Sequence, residues 1–311
     1  MFLLFIKINM RILSFNIKFG RITDIKTIIN ILKIYNPDIV ALQEVNKKQY
    51  IEIESHLNNH YRIIRANSNI LLTTYYITDF KMLKLNITQS GVVSINGNIS
   101  DTSYDTAIWA KLVINSLDIN LIITHLNVIS EEIRLRQIQI LQPWLSITDI
   151  LIGNLNSLYI DDYDPQTIEI INKNRIKYNI EPVRYDVINL LLQYGFIIPS
   201  FTGNTTKYGT RIDYILYKKN IDYMLNLYSQ PKNYVLDTIN TGISDNNIIV
   251  LEAIIDDLFL ITSNTFTQED FSHIEESVTI DSSQTLESDL NVRTAYLRQI
   301  STPKEDLLLT N

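Results

Sequence analysis

Residues 150–158, ILIGNLNSL, combine a short apolar run with a glycine and two asparagine side chains, Asn154 and Asn156. We interpret the run as a buried strand that breaks at Gly153, so that the next residues extend from a rigid element. Side chains in such a position often bind substrates or take part in catalysis. An amide cannot accept a proton at neutral pH, however, so this turn lacks the general base that a carboxylate would supply.

Further polar side chains interrupt the apolar pattern at or near the ends of predicted strands. They are Asn16 and Glu44 after the first two strands, His125 after LIIT, Asp213 inside RIDYI, and Asp245 with Asn246 before the last strand. Taken singly, each has an ordinary structural explanation, because Asn and Asp are common turn residues and a single His is usually a satisfied polar group. Their order and spacing along the chain favour a single functional site over separate structural roles.

The elements that must position these side chains are mostly strands. Apolar or alternating runs predict strands at 11–17, 38–43, 61–66, 70–77, 81–88, 107–114, 117–126, 150–152, 210–217, 234–239 and 248–255. Helical spacing and helix-boundary residues predict helices at 24–35, 46–58, 130–145 and 186–194. The strands occur both as hairpins and after helices, which predicts an α/β fold of the α+β type with mixed sheets flanked by helices.

The acidic charge is concentrated at the end of the chain. The 311 residues carry a net charge of −7, and residues 258–311 contribute −6 of it through nine acidic and three basic side chains. This segment is rich in Ser and Thr and lacks a helical or strand period, so we predict a mostly disordered acidic tail at 258–311 after a domain at 1–257. The nearly neutral domain lacks the basic surface that would by itself indicate nucleic-acid binding.

The composition also excludes several classes of site. The chain has no cysteine, which excludes disulfides, thiolate nucleophiles and Cys-based zinc sites. No apolar run reaches membrane-spanning length. The start, MFLLFIKINM, contains Lys7 and no small-residue cleavage site, so it is a poor signal peptide and we expect an intracellular, cytoplasmic protein. Met10 is a second plausible start, which makes residues 1–9 a candidate extension.

Seven segments, taken in order, resemble the endonuclease/exonuclease/phosphatase superfamily, which has the deoxyribonuclease-I-like fold. They are RILSFNI, PDIVALQEV, ILLTTYYI, THL followed by RLRQ, ILIGNLNS, RIDYILY and SDNN, and the resemblance covers residues 10 to 257. The resemblance implies a four-layer sandwich of two mixed β-sheets flanked by helices, with an active site at the strand ends along one edge of the sheets. Members of this superfamily are phosphoric ester hydrolases, so the resemblance implies a phosphate-ester substrate, a class that includes nucleic acids.

The resemblance also implies roles for individual residues. Glu44 would be the main ligand of Mg²⁺ or Mn²⁺, assisted by Asn16 and Asp245, because these cations prefer oxygen ligands. The cation would neutralise phosphate charge and polarise the P–O bond. His125 would donate a hydrogen bond to a phosphate oxygen, and Asn156 would help to hold the phosphate or the attacking water.

The sequence departs from the family pattern at two positions. Asn154 stands where the Gly-Asp-x-Asn turn of the family has the Asp that orients and deprotonates water. Asn246 stands where the Ser-Asp-His turn has a His, so Asp213 has lost the imidazole that it would orient. Losing general acid–base assistance typically costs a factor of about 10²–10⁴ in rate. We therefore expect weak binding of Mg²⁺ or Mn²⁺ and hydrolysis close to background.

Two hypotheses from different functional classes follow. The two substitutions favour a binding or structural module that has kept the scaffold of an enzyme. The alternative is an active metal-dependent phosphodiesterase or nuclease, in which Asp162, Asp164 or a metal-bound hydroxide stands in for the missing groups. Because the chain is rich in Asn, drift toward Asn also explains both changes.

One segment has the features of a nucleic-acid path. In NKNRIKYNIEPVRY, residues 172–185, cationic side chains alternate with tyrosines, as in proteins that bind single strands through charge and stacking. The residues concerned are Lys173, Arg175, Lys177 and Arg184, with Tyr178 and Tyr185. The alternative interpretation is a solvated connection between the GNLN strand and the next helix. No motif identifies a protein partner.

Overall fold

The computed structural model describes residues 2–18, 25–85, 106–114, 116–128, 130–177, 181–201, 203–218, 234–239 and 244–261, with the backbone alone for 2–9, 234–237 and 253–261. The predicted tail beyond residue 261, residues 86–88 of a predicted strand and Tyr178 lie outside the described residues. The described chain forms two six-stranded sheets and five α-helices. None of these helices is long and apolar enough to cross a membrane.

The first sheet brings three strand ends to one edge. Its strands, in spatial order, are β11 (Tyr234–Ile239), β12 (Ile248–Ile261), β1 (Phe2–Asn16), β2 (Ile39–Gln43), β4 (Asn69–Thr73) and β3 (Arg62–Ala66). β1 is parallel to β2, and the other neighbours are antiparallel. The carboxyl ends of β1 and β2 therefore lie beside the amino end of β12.

The second sheet repeats this arrangement. Its strands, in spatial order, are β5 (Tyr76–Lys84), β6 (Thr106–Ile114), β7 (Leu117–His125), β8 (Ile150–Asn154), β10 (Asp213–Lys218) and β9 (Phe196–Ile197). β7 is parallel to β8, and the other neighbours are antiparallel. The carboxyl ends of β7 and β8 therefore lie beside the amino end of β10.

The two sheets and the helices form four layers. α1 (Ile25–Tyr35) and α2 (Lys47–Leu57) pack on the outer face of the first sheet, and α3 (Glu131–Leu145) and α5 (Asp186–Gln193) pack on that of the second. Successive strand side chains point to opposite faces, so Ile12 packs between the sheets whereas Leu13 packs with the helices. The predicted four-layer sandwich of two mixed sheets is confirmed.

Some strand bounds differ from the predicted ones. The run 70–77 is two strands in different sheets, because the chain turns where Thr74 N donates to Asp38 O (3.0 Å) and Tyr75 N donates to Thr73 Oγ1 (3.1 Å). β1 begins at Phe2, since it pairs with β12 from Phe2 opposite Ile261 onward. The candidate extension thus contributes to β1, and β12 continues four residues into the range predicted as tail. The division into domain and tail stays a prediction.

The structure adds a helix, α4 (Pro165–Lys177), that the sequence analysis does not predict. Its apolar period is weak, since Ile171 is its one buried residue. The missed signal lies at its start, where the Asp164 carboxylate accepts hydrogen bonds from Thr167 N (2.8 Å) and Thr167 Oγ1 (2.9 Å). An acidic cap followed by proline at the first helical position is a common helix beginning.

Candidate functional site

The first sheet supplies four of the predicted site residues. Asn16 ends β1 opposite Gln43, the last residue of β2, so Glu44 follows directly at the same edge. The Asn16 amide Nδ2 donates to Glu44 Oε1 at 2.9 Å. Asp245 and Asn246 precede β12, and the neighbouring Ser244 Oγ donates to the Asn16 carbonyl oxygen at 3.0 Å, which ties this turn to the end of β1.

The second sheet supplies the other predicted residues. His125 ends β7, Asn154 ends β8 and Asp213 begins β10, and the register places His125 opposite Asn154 and Asn154 opposite Asp213. All three are buried. Asn156 follows in the turn, where its N–H donates to Asn154 Oδ1 at 3.1 Å and its Nδ2 donates to Leu126 O at 2.9 Å. Asn156 thereby joins the turn after β8 to the loop after β7.

The two groups meet across the interface between the sheets. His125 Nε2 lies 3.8 Å from Glu44 Oε1. The eight predicted residues therefore occupy neighbouring strand ends at one edge of the sandwich, as the resemblance implies. Their chemical roles stay predictions.

Several site residues have unusual backbone conformations. Glu44 (φ 57°) and Asn156 (φ 51°) adopt the left-handed region, which costs energy for residues other than glycine. Gly153 is required by close packing, because a Cβ atom there would lie 1.9 Å from the Thr124 carbonyl oxygen of β7. The chain thus holds strained or crowded backbone at the points that aim Glu44 and the Asn154 turn.

Burial makes two titratable site residues neutral at pH 7. Burial lowers the pKa of His125 to about 3, so its imidazole is uncharged and can donate a hydrogen bond without acting as a cation. Burial raises the pKa of Asp213 to about 8, although hydrogen bonds from Thr205 and Asn154 oppose this shift, and the negative charges of Glu44 and Asp245 add to it. Asp213 is therefore a protonated carboxylic acid at neutral pH.

Two buried oxygens in this region lack a hydrogen-bond partner among the described residues. They are Asp213 Oδ2 and Asn246 Oδ1. Both residues converge on one turn, since Asp213 N donates to Thr205 Oγ1 (3.2 Å) and Asn246 pairs with Thr206 in an isolated β-bridge. A His at position 246 would bring an N–H donor to this region, whereas the Asn246 amide Nδ2 donates to Asp245 Oδ1 at 3.5 Å.

No sequence motif predicts a role for Lys18, which the structure places beside the predicted site residues. Its ammonium Nζ lies 2.7 Å from Asp245 Oδ2, and both side chains are partly exposed. The Lys18 N–H donates to Asn16 Oδ1 at 3.0 Å. The available signal was its position two residues after Asn16, at the end of a strand.

A second missed contribution comes from the RLRQ segment, which the sequence analysis uses as a motif without a role. Arg134 Nη1 donates to the Asn127 carbonyl oxygen at 2.7 Å, and Gln137 Oε1 accepts from Asn127 N at 2.9 Å. Both backbone groups of Asn127 are thus held by α3. Arg134 is itself buried and paired with the fully buried Glu131 at 2.7 Å. This pair fixes the loop that follows His125.

The two acidic residues considered as substitute bases make structural contacts. Asp162 Oδ1 lies 3.4 Å from Nη1 of the buried Arg211, and Asp164 caps α4. Their carboxylates are therefore held by contacts outside the group of strand-end residues.

The candidate nucleic-acid segment is also largely self-paired. Lys173 pairs with Glu169 at 2.7 Å, and Arg184 pairs with Asp186 at 2.6 Å. Arg175 Nε donates to Glu181 O at 2.7 Å and is partly buried. Exposed ion pairs of this kind are weak, so a polyanion could replace them, but these cations do not form a continuous open row.

The metal-binding prediction rests on Glu44, Asn16 and Asp245. Glu44 presents a partly exposed carboxylate that accepts from the Asn16 amide Nδ2 (2.9 Å), and Mg²⁺ needs only one or two carboxylates because it keeps several waters. Asp245 is already neutralised by Lys18. No group of three or more His, Cys, Asp or Glu side chains is arranged to hold a metal in the part of the chain that the structure describes. A cation at this site therefore stays a prediction, and Glu44 is the carboxylate on which it rests.

Comparison with known proteins extends this description. The sequence model of the Endonuclease/Exonuclease/phosphatase family matches residues 13–223. No curated protein matches the chain.

Three solved structures illustrate the range of proteins with a similar fold. A mannosyl-6-phosphatase from Bacteroides thetaiotaomicron has a TM-score of 0.53 and 12% identity, covering 78% of this chain and 99% of its own. TDP2 from D. rerio, complexed with a single-strand DNA product, has a TM-score of 0.53 and 14% identity, covering 79% and 98%. Sphingomyelinase C from Streptomyces griseocarneus has a TM-score of 0.50 and 10% identity, covering 79% and 99%. At these identities the likeness shows the fold alone.

Proposed function

The chain belongs to the endonuclease/exonuclease/phosphatase family, and we propose that within this family it is a phosphate-ester-binding protein with weak or lost hydrolytic activity. One observation carries this proposal. Asp213 Oδ2 and Asn246 Oδ1 are both buried without a hydrogen-bond partner among the described residues, in the region where the resemblance places an Asp–His pair. The carboxyl that would orient a His remains, whereas the His is gone.

The turn after β8 also lacks a general base. Asn154 occupies the position of the family's water-activating Asp, and an amide cannot take a proton from water at neutral pH. A missing general acid or base typically slows a reaction by a factor of about 10²–10⁴. Losses within one catalytic unit are not additive, yet one of them is enough to leave a feeble enzyme.

The remaining residues support binding of a phosphate group. His125 is neutral and can donate a hydrogen bond, and Asn156 is fixed between the two loops by its own hydrogen bonds. A Mg²⁺ or Mn²⁺ ion, when bound, would be held at Glu44 and would neutralise phosphate charge. These are the binding parts of a phosphodiesterase site, and they do not need a general base.

An active metal-dependent phosphodiesterase or nuclease is the second candidate, and the backbone of Glu44 favours it. The backbone of Glu44 is in the left-handed region at φ 57°, and a hydrogen bond from Asn16 Nδ2 fixes its carboxylate. Strain of this kind persists where the surrounding structure imposes it and often marks functional sites. A divalent cation, which Glu44 would hold, would then have to supply the activation of water that the missing base would otherwise give.

A hydrolysis assay separates the two candidates. Plasmid DNA and bis-p-nitrophenyl phosphate would be incubated with the native chain in Mg²⁺ and in Mn²⁺. The variants are Glu44→Ala and the double change Asn154→Asp with Asn246→His. The double change Asn174→Asp with Asn189→His, at exposed helix positions, controls for composition.

We expect the native protein and the control to be near background, and the double change at the site to gain metal-dependent cleavage. Gain of cleavage would mean that the scaffold is intact and that the acid–base pair alone was lost. Robust native turnover that disappears in Glu44→Ala would overturn the proposal and support the active alternative.

A further inference from the structure

Lys18 contacts two of the three predicted metal ligands, Asn16 and Asp245. Its backbone is in the left-handed region (φ 58°), and its N–H donates to Asn16 Oδ1 at 3.0 Å. The same Asn16 side chain donates to Glu44 at 2.9 Å. The start of the Lys18 side chain is therefore fixed relative to Glu44 by two successive hydrogen bonds.

The ammonium group of Lys18 is directed to Asp245, which is also a predicted metal ligand. Nζ lies 2.7 Å from Asp245 Oδ2, and the Lys18 side chain is 24% exposed. Tyr208 OH, on an exposed side chain, lies 3.5 Å from the same oxygen. Asp245 is thus engaged by a cation and a hydroxyl, and the Lys18 side chain remains partly open to solvent.

A phosphate-binding site needs positive charge, and this one contains a covalently attached source of it. An ammonium group carries three donors, so pairing with one carboxylate oxygen leaves capacity for a second anion. A divalent cation would have to displace Lys18 to bind Asp245 Oδ2, because two cations cannot share one carboxylate oxygen at 2.7 Å without repulsion.

We propose that Lys18 is a phosphate-binding residue of this site, so that phosphate esters bind through its ammonium group without a divalent cation. The inference rests on the proposed function, since it specifies how the same site binds its ligand. Lys18 and a cation bound at Asp245 then compete. Loss of Lys18 weakens phosphate binding and strengthens cation binding.

The test measures two affinities on the full chain. Phenyl phosphate and inorganic phosphate are titrated calorimetrically in EDTA, and Mn²⁺ is titrated separately and followed by electron paramagnetic resonance. The variants are Lys18→Met, which removes the charge, and Lys18→Arg, which keeps it. Lys207→Met is the matched control, because Lys207 adjoins the site through its N–H bond to Asp245 O (3.0 Å) while its ammonium lies over the Tyr208 ring.

In Lys18→Met we expect phosphate affinity to fall about tenfold or more, the usual size of one lost charge-assisted hydrogen bond. Mn²⁺ affinity should rise by roughly tenfold as Asp245 becomes available. Lys18→Arg should bind phosphate nearly as well as the native chain, and Lys207→Met should change both affinities by less than about threefold. A purely structural Lys18 would alter stability without this opposite change in the two affinities.

Three outcomes would overturn the proposal. They are no phosphate binding by the native chain in EDTA, equal phosphate affinity in the native chain and Lys18→Met, and equal effects of Lys18→Met and Lys207→Met. If Lys18→Met does not fold, Lys18→Gln is used in its place, and we expect the folded Lys18→Gln variant to lose phosphate binding. The hydrolysis assay tests the proposed function independently of this proposal, because hydrolysis is assayed with metal whereas phosphate binding is measured without metal.

Discussion

Replacing Asp213 by Asn tests whether this carboxyl is neutral in the folded protein. Burial raises its pKa from 3.8 to about 8. The folded state therefore holds the proton more tightly than the unfolded state, and stability is highest at low pH and falls as the pH rises from 3.8 to about 8. The slope is about 1.4 kcal/mol per pH unit, so the accumulated cost at pH 7 is about 4 kcal/mol. Asn has nearly the same shape and no charge, so Asp213→Asn should recover a stabilisation of this order.

Urea unfolding at several values between pH 4 and pH 8, in EDTA, measures the free energy of unfolding of both proteins. We expect the advantage of Asp213→Asn to be small near pH 4 and to grow by about 1.4 kcal/mol per unit. Asp118→Asn is the control, because the Asp118 side chain is 60% exposed, and its effect should stay within about 0.5 kcal/mol. A constant difference across the pH range, or a native protein more stable at pH 7, would refute the reasoning, since Asp213 would then be ionised in the folded state.

Three other substitutions test the backbone and the loop support by the same urea measurement. Glu44→Gly relieves the left-handed conformation and should be about 1 kcal/mol more stable than Glu44→Ala; equal stability would show that the conformation costs nothing. Gly153→Ala places a Cβ 1.9 Å from Thr124 O and should cost more than about 3 kcal/mol or prevent folding, whereas a small loss would mean that β7 and β8 can separate. Arg134→Met removes the paired cation of the buried Glu131, which keeps hydrogen bonds from Ser157 Oγ and Val187 N, and should cost about 3–5 kcal/mol. Adding Glu131→Gln should restore part of that loss, and no recovery would contradict the assignment.

The helix and strand bounds show how much of the fold can be predicted from the sequence. The predicted helix 130–145 corresponds to α3, and the predicted strand 107–114 corresponds to β6 with one added residue. Both depend on side chains that lie within a few residues of each other, so local periodicity is sufficient. α4 was missed because a helix that buries a single residue has almost no apolar period.

The site itself depends on longer-range relations. Asn16 and Glu44 could be placed together from the sequence, because two parallel strands joined by a helix end at the same edge of a sheet. Contact between His125 and Glu44, at 3.8 Å, requires the two sheets to pack face to face. No local pattern encodes that distance, and only the resemblance suggested it.

The sequence by itself determined most of the element types and the residues at the strand ends, and the resemblance predicts that Asn154 and Asn246 replace proton-transfer groups. These are properties of residue identity and of short-range spacing. The tertiary structure alone decided the protonation of Asp213, since its pKa follows from burial by distant segments. It also decided the pairing of Lys18 with Asp245, which are 227 residues apart. Charge and solvation depend on what surrounds a side chain in space, and that environment exists only once the sheets have packed.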